Sequence, residues 1–124
     1  MVWLTRESQM DAVTAVSASG PAYFFRLIEL LEAAAIDEGL PAELARTLAV
    51  ETARGAGLLA AQGEFTPAVL CEQVASPGGT TAAALAELEA ADLRAIVSRA
   101  VRAGVRRAQE LAEDFAGGPP PKAP

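Results

Sequence analysis

Apolar residues recur along this chain at spacings of three and four, and almost no stretch alternates with a period of two. A 3.6-residue turn gathers such positions on one face, so the pattern predicts an all-helical chain. A first helix is expected over residues 7–16. The segment "SASGP" interrupts it, with Ser19 suited to a cap and Pro21 to a first helical position, where a missing N–H costs nothing. The second helix runs to about residue 38 and carries Tyr23, Leu27, Ile28, Leu31 and Ala34 on one side. Only Arg26, Glu29 and Glu32, with Ala33 beside them, make a polar stripe. A helix apolar around most of its circumference is expected to be buried by more than one neighbour.

"EGLP" ends that helix, with Gly39 fitting a left-handed position after it and Pro41 opening the next. The third helix, over residues 41–62, carries Ala45, Ala49, Ala53, Ala56 and Ala60 with Leu44, Leu48 and Leu59. Small residues at this spacing admit a second helix at close range, and the same need explains Gly55 and Gly57, each costing about 1 kcal/mol against alanine. "QGEFTP" reads as a loop ending in a Thr66 cap, followed by a short helix from residue 67 to about 73. Two more helices are expected over residues 81–91 and 92–114. The last presents Leu93, Ile96, Val97, Ala100, Val101, Gly104, Val105, Ala108 and Leu111 on one side, with Arg94, Arg102, Arg106 and Glu113 outside. Residues 1–115 thus form one helical domain, and "GGPPPKAP" marks residues 116–124 as a disordered tail. The apolar faces exceed what one small core needs, so a twofold dimer with the third and last helices in its interface is expected.

Composition narrows the chemistry. The 124 residues suffice for one domain, and 10 basic against 16 acidic residues give a net charge of -6, which argues against nucleic acid and anionic membrane as partners. The uncharged run over residues 12–25 is 14 long, short of a membrane span, and Gly20 and Pro21 break it. The start shows no basic stretch followed by an apolar run, so the cytoplasm is the default expectation. With one cysteine, Cys71, there is no internal disulfide, and with no histidine there is no imidazole base and little prospect of a zinc site.

One stretch resists a purely helical account: "VASPGGTT", residues 74–81. A turn with Pro77 second and Gly78 third explains Gly78, because positive φ is favoured there. It does not explain Gly79, which stands at the entrance to a helix with Thr80 and Thr81 in the first turn. Free N–H groups at a helix start attract an anion, and a residue without Cβ lets that anion reach the backbone. No Lys or Arg lies within the motif, so the amides themselves would bind, which suits one small carboxylate. On spacing alone, a capped turn and a binding site stand as equal readings.

"DAVTAVSASGPAYFF", "DEGLP" and "VASPGGTT" followed by "AALAELEAADLRAIVSRAV", in this order, resemble the C-terminal domain of pyrroline-5-carboxylate reductase, from about Val2 to Leu111. The departure at Ala18, where the family more often has glycine, is small. The resemblance implies an intertwined all-α dimerisation domain, a bundle of about six helices of the 6-phosphogluconate dehydrogenase C-terminal-like type. It implies an enzyme of the last step of proline biosynthesis, reducing 1-pyrroline-5-carboxylate with NADPH or NADH as a homodimer or higher oligomer. It puts the substrate carboxylate on Ser76, Gly78, Gly79 and Thr80, and the Thr81 hydroxyl near the ring nitrogen as the catalytic contact. Ser19 and Gly20 either line the nicotinamide side or merely cap and start a helix.

No G-x-G-x-x-G follows a strand pattern, so the expectation is the substrate-binding and dimerisation half alone, binding no cofactor and inactive by itself. A helical scaffold without chemistry, and the helical half of another small-acid dehydrogenase, are the competing readings. Cys71 reads as a small packed residue, Arg106 and Arg107 as a solvated face, and no metal site is expected.

Overall fold

A computed structural model of the chain describes residues 8–117, and the side chains of residues 9–115. Six α-helices and one π-helical turn account for nearly all of it, with no strand among the described residues. The helices are α1 (Ser8–Val13), α2 (Gly20–Asp37), α3 (Ala42–Ala61), α4 (Pro67–Val74), α5 (Thr80–Ala90) and α6 (Leu93–Gly117), and the π turn is Thr14–Ala18. The all-α class expected from the periodicity is therefore the observed one. Helix α6 runs through Gly117, two residues into the segment read as tail, and residues 118–124 lie outside the described residues.

The chain divides into two compact units, one made of its two ends, up to Pro21 and from Arg94, and the other of Ala22–Leu93. In the first, α1 passes directly into the π turn, closed by the Ser19 N–H donating to the Thr14 carbonyl at 3.0 Å, a spacing of five residues. Ser19 has helical dihedrals, φ −86° and ψ −23°. It is thus not the cap expected of it: an N-cap needs extended backbone to turn its side chain onto the next N–H groups. Ala15 is 1% exposed here, Gly20 is buried, and Val101, Gly104, Val105 and Ala108 of α6 form a half-buried stripe.

The second unit shows how local chemistry sets helix ends. Gly39 takes φ +100° after α2; its N–H donates to Ile36 O at 2.9 Å and the Leu40 N–H to Ala35 O at 3.1 Å. This paired closure satisfies carbonyls that the helix end would otherwise leave open. Pro41 is the cap of α3, and the Arg46 Nε–Glu32 Oε1 pair at 3.1 Å links α2 to α3. Its Arg46 side chain is exposed while that of Glu32 is only 18% exposed, and with one partner in solvent the pair contributes on the order of 1 kcal/mol. Gly63 ends α3 with φ +72°, and Thr66 caps α4, its hydroxyl accepting from the Val69 N–H at 3.3 Å.

Among the described residues the buried hydrophobic ones are three alanines, Ala15, Ala45 and Ala49. Tyr23, Leu27 and Leu31, expected to be enclosed by several neighbours, are exposed, Leu27 by 60%. Gly55 and Gly57 were expected to allow close packing, yet a Cβ on either would meet nothing within 4 Å. The apolar faces are real, but among the described residues they stay largely open. No helix among the described residues is long and apolar enough to cross a membrane.

Candidate functional site

Between α4 and α5 the chain makes one tight turn. Ala75 is extended, the Gly79 N–H donates to the Ser76 carbonyl at 2.9 Å, and Gly78 takes φ +72° at the third position. Pro77 at the second position and positive φ at the third define a type II turn, as the sequence implied. Gly79 then caps α5 with extended backbone, φ −88° and ψ 179°, which any residue can adopt. Its lack of a side chain nevertheless has a local cause, because a Cβ there would stand 3.1 Å from the Ser76 carbonyl oxygen. The expectation that the turn leaves Gly79 unexplained is corrected by that distance.

The cap determines what the helix start offers. Ala83 is the first residue whose N–H finds a helical acceptor, the Gly79 carbonyl at 3.1 Å. The N–H groups of Thr80, Thr81 and Ala82 precede it, and a glycine cap has no side chain to receive them. At α4 the corresponding place is occupied by the Thr66 hydroxyl. Gly79 and Thr81 are half-buried and Thr80 is exposed. Among the described residues the hydroxyls of Ser76, Thr80 and Thr81 have no hydrogen-bond partner. Between Arg54 and Arg94 the sequence contains no basic residue, so neutral amides and hydroxyls make up the donor set. Such a set can hold one carboxylate, assisted by the positive end of the helix dipole.

Ser76, Gly78, Gly79, Thr80 and Thr81 are thus brought together by the turn and the first turn of α5, all within the second unit. Ser19 and Gly20 belong to the first unit, Ser19 half-buried and Gly20 buried. No group of acidic, cysteine or histidine side chains suited to a metal ion occurs among the described residues. Cys71 is exposed rather than packed, and Arg107 pairs with Glu110 at 3.0 Å on the surface. The sequence reading missed two apolar grooves beside α3, of about 430 and 720 Å³, neither of which includes the turn. Their signal was present in the regular alanine spacing of α3.

An all-α module with open apolar faces and a carboxylate-sized donor set at one helix start is the class these features define. Residues 7–111 match the family described as pyrroline-5-carboxylate reductase dimerisation, and the chain belongs to that family. A pyrroline-5-carboxylate reductase of Pseudomonas aeruginosa is 46% identical over 114 residues, covering 92% of this chain and 42% of the relative. One from Synechocystis is 47% identical over 105 residues, covering 85% and 39%. Among solved structures, a pyrroline-5-carboxylate reductase from Coxiella burnetii superimposes with a TM-score of 0.85 at 41% identity, covering 89% of this chain and 41% of that one. A Plasmodium falciparum pyrroline carboxylate reductase with NADP bound gives 0.78 at 34% identity, covering 82% and 39%. The chain therefore spans about two fifths of the length of the relatives it matches.

Proposed function

We propose that this chain is the dimerisation and substrate-binding part of a pyrroline-5-carboxylate reductase, working as a homodimer on the cyclic imino acid. The observation that carries the reading is the uncapped start of α5, with three first-turn N–H groups and two threonine hydroxyls beside a turn that crowds a Cβ at Gly79. The substrate carboxylate takes the N–H groups of Thr80, Thr81 and Ala82, with the Ser76 hydroxyl alongside. The Gly79 amide is used within the turn, so its part is to keep the approach free of Cβ. The Thr81 hydroxyl hydrogen-bonds the ring nitrogen and orients the imine, whose reduction needs no strong base.

The described residues supply no strand–turn–helix cradle for a dinucleotide, so no step through NADPH or NADH is assigned to them. Holding the donor over the imine is a large part of the rate, and the chain alone is therefore inactive in this reading. A second reading, a helical scaffold in which the turn is only a turn, draws on the 3.1 Å crowding that gives Gly79 a structural reason.

A chimera in which this chain replaces its matching segment in the Pseudomonas aeruginosa relative separates the two. Imine-dependent NADPH oxidation is expected from the chimera and not from the 124-residue chain. Turnover by the chain alone, or a folded dimeric chimera without turnover, overturns the proposal.

A further inference from the structure

The cations of this acidic chain are distributed unevenly. In Ala22–Leu93 each arginine has an acidic partner: Arg26 with Glu29 at 3.0 Å, Arg46 with Glu32 at 3.1 Å and Arg54 with Glu51 at 3.4 Å. Residues 94–107 of α6 hold five arginines and no acid. Of these, among the described residues, Arg107 alone is paired, with Glu110 at 3.0 Å. Three of the other four share a face: Arg99, Arg102 and Arg106 are exposed, and their spacings of three and four set them within about 60° of azimuth. That face lies across the helix from half-buried Val101, Gly104 and Ala108 and from the open Leu93, Val97 and Leu111, so covering the apolar arc leaves it free. Like charges at these spacings repel, and Glu110, one turn beyond Arg106, is already taken by Arg107.

We propose that the stripe Arg99, Arg102 and Arg106 holds a short chain of phosphates, free or carried on a nucleoside. The site goes beyond the reductase reading and uses none of the residues assigned there. A guanidinium presents a planar fork of N–H donors that fits phosphate oxygens in pairs, and it stays charged throughout the physiological range. From Arg99 to Arg106 the helix rises about 10 Å, so successive phosphate groups can each meet an arginine, whereas a single phosphate or carboxylate reaches one or two. Charge also limits the length of the occupant. Beyond Arg106 the same azimuth turns acidic at Glu110 and Glu113, and the whole chain carries a net charge of -6. A long polyanion or an anionic membrane would run onto those carboxylates, while a short anion meets the arginines alone.

The test titrates the 124-residue chain calorimetrically at low salt with orthophosphate, tripolyphosphate and adenosine triphosphate. Tripolyphosphate is expected to bind at least tenfold more tightly than orthophosphate and to weaken as salt is raised. Adenosine triphosphate binding equally well assigns recognition to the phosphates, and tighter binding adds the nucleoside as their source. Arg102→Gln should weaken tripolyphosphate binding about tenfold. Arg94→Gln removes the same charge from α6 but lies about 80° of azimuth from the nearest stripe residue, and it should change binding less than twofold. Circular dichroism checks that both variants keep their helicity. Equal loss in the two variants would report net charge alone and overturn the proposal. So would tripolyphosphate binding that is absent or untouched by Arg102→Gln, the latter being the result for an anion held at the start of α5. Binding to vesicles containing phosphatidylserine, with none to tripolyphosphate, would also overturn it. None of these outcomes alters imine turnover by the chimera, which decides the reductase reading separately.

Discussion

The Ser76 carbonyl oxygen accepts the Gly79 N–H at 2.9 Å, and the same oxygen stands 3.1 Å from where a Cβ on Gly79 would fall. One atom therefore closes the turn and crowds a side chain at the helix cap. That double role ties the shape of the loop to its capacity to receive an anion, and it determines how substitutions here must be read.

Gly79→Ala is expected to lower stability by about 1 kcal/mol, since the carbonyl must shift by a few tenths of an ångström and alanine is a poor cap. Gly79→Val should cost more. In the chimeric reductase both should also raise KM, per folded molecule, because the Cβ enters the approach to the α5 amides. Thermal unfolding and kinetics on the same variants check this; a stability loss with unchanged KM would remove Gly79 from the site.

Thr81→Ala in the chimera should reduce kcat/KM about tenfold, the size of one neutral hydrogen bond near 1 kcal/mol. Thr81→Ser keeps the hydroxyl and should keep most of the rate. Steady-state kinetics of the two variants decide it: equal loss in both would point to the methyl group and packing instead.

Thr66→Ala is the matching structural control. It removes the cap of α4, a 3.3 Å bond to the Val69 N–H, and should cost about 1 kcal/mol of stability. Activity per folded chimera should be unchanged, as measured at saturating substrate below the melting transition.

The chain should sediment as a dimer at micromolar concentration. Phe24, Phe25, Leu27 and Leu58 are each at least 60% exposed in the single chain, more apolar surface than a stable monomer leaves open. Sedimentation equilibrium of the purified protein measures it directly, and a folded monomer would contradict the expectation.

What the sequence disclosed and what it withheld differ by the range of the forces involved. Gly39, Gly78 and Thr66 were legible because a positive φ or a hydroxyl cap is decided within four residues. Ser19 was misread because "SASG" has the composition of a break, whereas the backbone there continues through a π turn that no local propensity announces. The apolar face of α2 was legible as a face, but its cover was not: Leu27 and Leu31 need a surface that the sequence of one chain does not place beside them. For the candidate site, the grouping of residues 76–81 was readable from the turn chemistry. The crowding at Gly79 was not, because it depends on where one carbonyl oxygen points.

The π turn at Thr14–Ala18 also bears on the length of this part of the chain in a way its composition does not reveal. A turn closed over five residues holds one more residue than the chain needs to continue as an α-helix. Deleting one residue there would turn the closure over five residues into one over four, so α1 would run on as an unbroken α-helix with the segment before it at nearly the same azimuth. Met10 and Val13 would keep their side, and the change would be confined to the widened turn around Ala15, now 1% exposed. The segment thus acts as a length absorber: it takes up one extra residue locally without turning the helical segments on either side of it.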